Sequence, residues 1–316
     1  MPIFQGVGTA IVTPFDAQGE VDYNVLGRLV EFQIMNDVDA LIVCGTTGEA
    51  ATLTYEERFE VVKFVVEQVA GRVPVIGGGG SNSTPNTVRL CQDVQKAGAD
   101  ALLVVTPYYN KTTQKGLVEH YSALAKEVDL PILAYNVPGR TGLNIEPQTL
   151  AKIAQIDKIV GTKEAAGDIV QTAKMAALVP EDFAIYAGNC NEVLPTLALG
   201  GIGCISVMGN VAPKDLHDIC VAFRNGDLEL AKRLQHKALP LVDALFHELS
   251  PMPVKHILTQ MGFAVGAALV PSFHLCGAGV GEYTYLLVQT SNVHLHYRGR
   301  MYQPLLRLQV NTRLRL

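Results

Sequence analysis

The chain has 316 residues, 48% of them hydrophobic and 17% charged, with a formal net charge of −5. That length and apolar share can bury one large core, as single α/β barrels of this size do. The acidic balance excludes the broad basic field that a nucleic acid backbone or an anionic membrane surface would need. Six cysteines without a C-x-x-C pair read as buried thiols in a reducing compartment. No apolar run approaches the roughly 20 residues that cross a bilayer. The opening Met1-Pro2-Ile3-Phe4-Gln5-Gly6 lacks the basic and apolar regions of a signal peptide, so a cytoplasmic protein is expected.

Short runs rich in Val, Ile and Leu at 9–13, 40–44, 73–77, 101–106, 131–137, 159–163, 184–187 and 203–207 are predicted strands. Most are continuously apolar, the pattern of parallel strands covered on both faces. Helical period fills the gaps between them. Over 54–69, Phe59, Val62, Val66 and Val69 share one face, and Thr54 with Glu57 makes a capping-box pattern at its start. Pro85 and Pro147 sit where helices are expected to begin, and Gly71, Gly98 and Gly226 fall where they should end.

Eight strand–helix units predict an α/β fold, a (β/α)8 TIM barrel over residues 1–212. An open doubly wound sheet competes, but the first strand runs into Thr13-Pro14-Phe15 and not into a G-x-G-x-x-G turn. Helical patterns at 213–224, 227–249 and 253–261 predict appended C-terminal helices over 213–265, continuous with the barrel. The tail, 266–316, has five arginines, no lysine and one acidic residue, against 29 acidic residues and all 13 lysines before it. It is expected to be an atypical element, or a segment read in an altered frame.

In such a barrel the reactive groups lie at the C-terminal strand ends. Lys163 closes the apolar run Ile159-Val160-Gly161-Thr162, which aims its amine into the barrel mouth. A dry site disfavours a lysine's charged form and leaves amine to attack a carbonyl, the requirement of a Schiff-base nucleophile. The plainer alternative is a lysine paired with Glu164 or Glu49. Tyr135, on an earlier strand, is either a proton shuttle or a packing residue. Thr46, Thr47 and Tyr109 are the hydroxyl-bearing candidates beside it. The turn Gly45-Thr46-Thr47-Gly48-Glu49 offers small residues, N–H groups and hydroxyls that can nest a carboxylate, or it is simply a tight turn. Arg140, after Pro138-Gly139, can grip a carboxylate with two parallel hydrogen bonds. Gly77–Gly80 are not followed by Lys-Ser/Thr, so they are no P-loop. The eight histidines have no metal-ligand spacing, and no metal is expected.

Gly45-Thr46-Thr47-Gly48-Glu49, Tyr135-Asn136-Val137-Pro138-Gly139-Arg140-Thr141 and Gly161-Thr162-Lys163-Glu164-Ala165, in order and at matching spacing, resemble the dihydrodipicolinate synthase branch of the pyruvate-lysine aldolase superfamily. The resemblance implies that pyruvate condenses with Lys163 and that the enamine adds to L-aspartate-4-semialdehyde, on the route to diaminopimelate and lysine. It implies Tyr135 as proton donor, in a relay with Thr46 and with Tyr109 from a neighbouring subunit. Thr47 and the Ile205 backbone would contact pyruvate, Arg140 would hold the semialdehyde carboxylate, and Gly188 would line the pocket. It implies no cofactor and a homotetramer, a dimer of dimers.

Two alternatives remain open. N-acetylneuraminate lyase and 2-keto-3-deoxy sugar-acid aldolases share the lysine, the tyrosine and the turn, but generally lack the Arg140 pattern. A barrel that has lost catalysis and only binds is the other.

Overall fold

A computed structural model describes residues 2–269, together with the backbone of 296–297 and 300–301. Eight parallel strands, β1 (Gly6–Ala10), β2 (Ala40–Val43), β3 (Val75–Gly78), β4 (Ala101–Val105), β5 (Ile132–Asn136), β6 (Ile159–Glu164), β7 (Ala184–Ala187) and β8 (Gly203–Ser206), close into a barrel. The seam pairs Gly6 with Gly203 and Thr9 with Ser206. A Cβ on Gly203 would collide with the Gly6 carbonyl, so glycine permits the last strand to approach the first. Closure removes both sheet edges, and the open-sheet alternative falls.

The first strand lies earlier than the predicted 9–13. From Val12 the chain leaves the ladder, its N–H donating to Asn210 Oδ1 at 3.0 Å. Proline at 14 cannot donate to a strand pair, so the apolar run outlasts the strand.

The helices are α1 (Tyr23–Met35), α2 (Tyr55–Val69), α3 (Thr84–Lys96), α4 (Gln114–Glu127), the single turn α5 (Pro138–Thr141), α6 (Pro147–Ile153), α7 (Ile169–Ala176), α8 (Val193–Ala198), α9 (Pro213–Arg224), α10 (Leu228–Leu245) and α11 (Met252–Gln260). The capping box of α2 is formed. Glu57 N donates to Thr54 Oγ1 at 3.1 Å, and Thr54 N donates to Glu57 Oε2 at 2.7 Å. The buried face of α2 is Val61, Val62, Val65 and Val69, whereas Phe59 and Val66 are only partly covered. The predicted face was displaced because α2 carries more apolar residues than one face holds. The surplus packs sideways, as Phe64 does against Tyr23 on α1, with ring centroids 5.1 Å apart.

Two apolar layers result. One joins the outer strand faces to the helices. The other fills the barrel with Ala10, Ala40, Ile42, Ile76, Leu103, Leu133, Ile205 and their neighbours. Its floor is Phe4 stacked on Tyr186, centroids 4.4 Å apart, with Tyr186 Oη donating to the Phe4 carbonyl at 2.7 Å. α9 packs against β1, α10 against α9 and α11 against α10. Pro240 lies inside α10.

The tail expected at 266–316 lies outside the described residues from 270 onward. The exceptions are His296–Tyr297 and Arg300–Met301, which form a short antiparallel pair. None of the described helices is long and apolar enough to cross a membrane.

Candidate active site

β5 and β6 run in register, with Tyr135 beside Lys163 and Lys163 beside Tyr186 of β7. Alternation along β6 sends Lys163 inward and Glu164 outward. Lys163 is only 5% exposed and Tyr135 6%, and the Lys163 amine stands 4.4 Å from the centroid of the Tyr135 ring.

Both carboxylates that could have neutralised Lys163 are engaged elsewhere. Glu164 accepts from Asn136 Nδ2 at 2.9 and 3.1 Å and from Ala166 N at 2.7 Å. Burial pushes its carboxyl up to about 7, against the pull of those hydrogen bonds. Glu49 pairs with Lys255, Nζ to Oε1 2.5 Å. Among the described residues, no ion pair reaches Lys163. The ion-paired alternative for this lysine therefore fails, and a buried amine faces a phenol.

Which tyrosine can work with that amine follows from hydrogen bonding. Tyr186 has its hydroxyl committed to Phe4 at the floor. Tyr135 instead lines a cavity of about 240 Å³ at the C-terminal ends of β2 to β5. That cavity also takes in Thr46, Cys44, Arg140, Tyr108 and Ser250. Lys163 stands behind the Tyr135 wall and is not itself among the lining residues. Burial drives the Cys44 thiol up to about 12, which keeps it protonated and a poor rival nucleophile.

The turn after β2 is tightly built. Gly48 is hemmed in, since a Cβ there would stand 3.1 Å from the Ile11 carbonyl, and Thr13 Oγ1 donates to its carbonyl at 2.7 Å. Glu49 takes φ 57°, a left-handed conformation uncommon outside glycine. Its N–H donates to the Thr46 carbonyl at 3.1 Å. Thr46 meets the cavity, and Thr47 beside it is 3% exposed.

The remaining candidates are distributed unevenly. Arg140 stands at the rim on α5, with Nη2 donating to the Ser250 carbonyl at 3.2 Å. Ile205 is fully buried inside the barrel on β8. Gly188 does not line the cavity. It buttresses β6, its N–H donating to the Glu164 carbonyl at 2.6 Å, and a Cβ would lie 2.5 Å from that of Ala165. Tyr109 is not among the residues lining the cavity and is 91% exposed, at φ 69°.

Sequence reasoning overlooked Lys255. Its signal was a lysine on the apolar face of α11, between Val254 and Ile257, both buried. Among the described residues no cluster of His, Cys, Asp and Glu could hold a metal ion.

Residues 3–276 match the Dihydrodipicolinate synthetase family. The 4-hydroxy-tetrahydrodipicolinate synthase of Thermoanaerobacter sp. (strain X514) is 52% identical over 272 residues, which is 86% of this chain and 91% of that protein. The fold is similar to the crystal structure of dihydrodipicolinate synthase from Thermotoga maritima, at 44% identity and a TM-score of 0.86 over 92% of this chain and 98% of that one. It is equally similar to a monomeric dihydrodipicolinate synthase variant, at 44% identity and a TM-score of 0.86 over 91% and 96% of the two chains. The matched span holds the whole barrel, the Tyr135–Lys163 pair, the 45–49 turn and all three C-terminal helices, and the chain belongs to the dihydrodipicolinate synthetase family.

Proposed function

We propose that this chain is a 4-hydroxy-tetrahydrodipicolinate synthase, a lyase that joins pyruvate to L-aspartate-4-semialdehyde in lysine biosynthesis via diaminopimelate. The observation that carries the reading is the Lys163 amine, buried with no carboxylate partner among the described residues, 4.4 Å from the ring of Tyr135. The amine adds to C2 of pyruvate and water leaves, giving an iminium. Loss of a proton from C3 gives the enamine, and C3 attacks the aldehyde carbon of the semialdehyde. The semialdehyde's amino group then displaces Lys163 from C2, which closes the ring and frees the enzyme.

Each candidate has a part in this chemistry. Tyr135 donates and recovers protons as the carbinolamine forms and collapses, in a relay with Thr46. Thr47 and the Ile205 backbone hold the pyruvate carboxylate and Arg140 holds that of the semialdehyde, while Gly188 keeps β7 close behind the Lys163 strand. Tyr109, exposed on a left-handed turn, is suited to complete the relay of a second copy, and a homotetramer, a dimer of dimers, is the assembly we assign. The described cysteines are all buried and free, which suits a cytoplasmic enzyme. The lysine itself supplies the electron sink, so the mechanism calls for no cofactor.

A coupled assay for the cyclic product tests this. Lys163→Ala should abolish turnover, a loss of at least about 10³-fold. Arg140→Ala should raise the KM for the semialdehyde, and activity should fall on dilution as subunits part. Unchanged turnover in Lys163→Ala would refute the mechanism. Cleavage of a sugar acid with Arg140→Ala neutral would favour a sugar-acid aldolase.

A further inference from the structure

Glu49 and Lys255 form an ion pair sealed from water, their side chains 0% and 3% exposed. One partner belongs to the turn after β2, the other to α11, more than two hundred residues later. The pair is embedded in a strap formed by the chain leaving α11. Lys255 Nζ donates to the Ala267 carbonyl at 3.1 Å and lies 4.2 Å from the centroid of the Phe15 ring. Leu269 N donates to Glu49 Oε2 at 2.6 Å, and Phe15 N donates to the Val265 carbonyl at 3.0 Å. Burial alone would draw the Lys255 ammonium's pKa down, and Glu49 opposes that.

Charges this deep are retained at a cost in desolvation, and a pair of similar apolar residues often serves stability as well. What this pair does beyond stability follows from where Glu49 sits. Its backbone is in the left-handed region, which a side chain disfavours unless its surroundings hold it there. The same residue ends the turn that presents Thr46 to the cavity, through the bond from Glu49 N to the Thr46 carbonyl. Pulling the Glu49 carboxylate down onto α11 therefore fixes the turn on the other side.

We propose that Lys255 is a positioning residue for keto-acid binding, holding Glu49 so that the 45–49 turn presents Thr47 to the substrate carboxylate. The proposal rests on the Schiff-base reading above. It makes the C-terminal helical region part of the binding machinery, although no side chain of α11 borders the cavity.

The test compares the full chain with its Lys255→Met and Lys255→Arg variants by borohydride trapping, reading adduct against pyruvate concentration, and by the coupled assay, reading kcat at saturating pyruvate. Thermal midpoints run alongside. Lys255→Met should raise the half-saturating pyruvate concentration about tenfold, an ordinary coupling between two sites, and change kcat at saturating pyruvate much less. Lys255→Arg, which keeps the charge, should recover most of the affinity. Unchanged half-saturation in Lys255→Met, or a fall confined to kcat, would overturn the proposal. If the native chain forms no adduct, the Schiff-base reading falls and the proposal falls with it. Should Lys255→Met not fold, hydrogen exchange on the native chain decides. Saturating pyruvate should slow exchange in 252–269 as well as in 45–50, and unchanged exchange in 252–269 would count against the coupling.

Discussion

Glu164 follows Lys163 along β6 and faces the other way, into a polar network on the outer side of the barrel. Asn136 Nδ2 bonds both Glu164 and Asn144 Oδ1, and Asn144 Nδ2 donates to Gln171 Oε1 at 2.7 Å. The network ties the ends of β5 and β6 together directly behind the Tyr135–Lys163 pair. Burial leaves Glu164 titrating at about 7, above the usual 4.5, with Glu192 adding to the rise. The folded chain therefore holds this proton more tightly than the unfolded chain. Stability from this group is in full below pH about 4.5 and is lost as pH rises through about 7, a difference on the order of 3 kcal/mol. Glu164→Gln should remove this component from thermal midpoints measured between pH 5 and 7. An identical slope in the variant would contradict the assignment. The sequence announced Lys163 by its place after an apolar run, yet it could not say whether Glu164 or Glu49 would neutralise it. That answer depends on strand parity, and on Lys255, a residue remote in sequence.

At the scale of elements, strands and helix starts were the legible part. Parallel strands covered on both faces are uniformly apolar, and seven of the eight predicted strands fall on β2 to β8, within a few residues at their ends. The predicted first strand lies three residues late at both ends, and its end overruns because Ile11 and Val12 continue the apolar run after the ladder has ended. The face of α2 was misread for a related reason. A helix wedged between barrel and neighbours is apolar on more than one side, so periodicity alone does not select the innermost stripe. Its N-terminus was plain, since Thr54 and Glu57 satisfy each other's backbone donors. Thr54→Ala should cost about 1 kcal/mol, lowering the thermal midpoint by roughly 1–2 °C for a chain of this size. Calorimetry checks this, and no shift would mean that packing alone holds the start of α2.

For the whole molecule, the alternation of strand and helix made the barrel legible, while its closure rests on glycine seams such as Gly6–Gly203 that composition does not reveal. The organisation we propose has a barrel over 1–212 and a helical region over 213–265 continuous with it. The packing of α9 on β1 and of α10 on α9 fits that unit. The same continuity lets Lys255 reach the turn after β2. All of the proposed chemistry depends on one bond between this chain and a keto acid. Intact mass after borohydride reduction with pyruvate, followed by peptide mapping, tests that bond directly. One reduced pyruvate adduct per chain is expected, on the peptide carrying Lys163, absent without pyruvate and absent from Lys163→Ala. An unmodified chain, or an adduct on a different lysine, would contradict the mechanism.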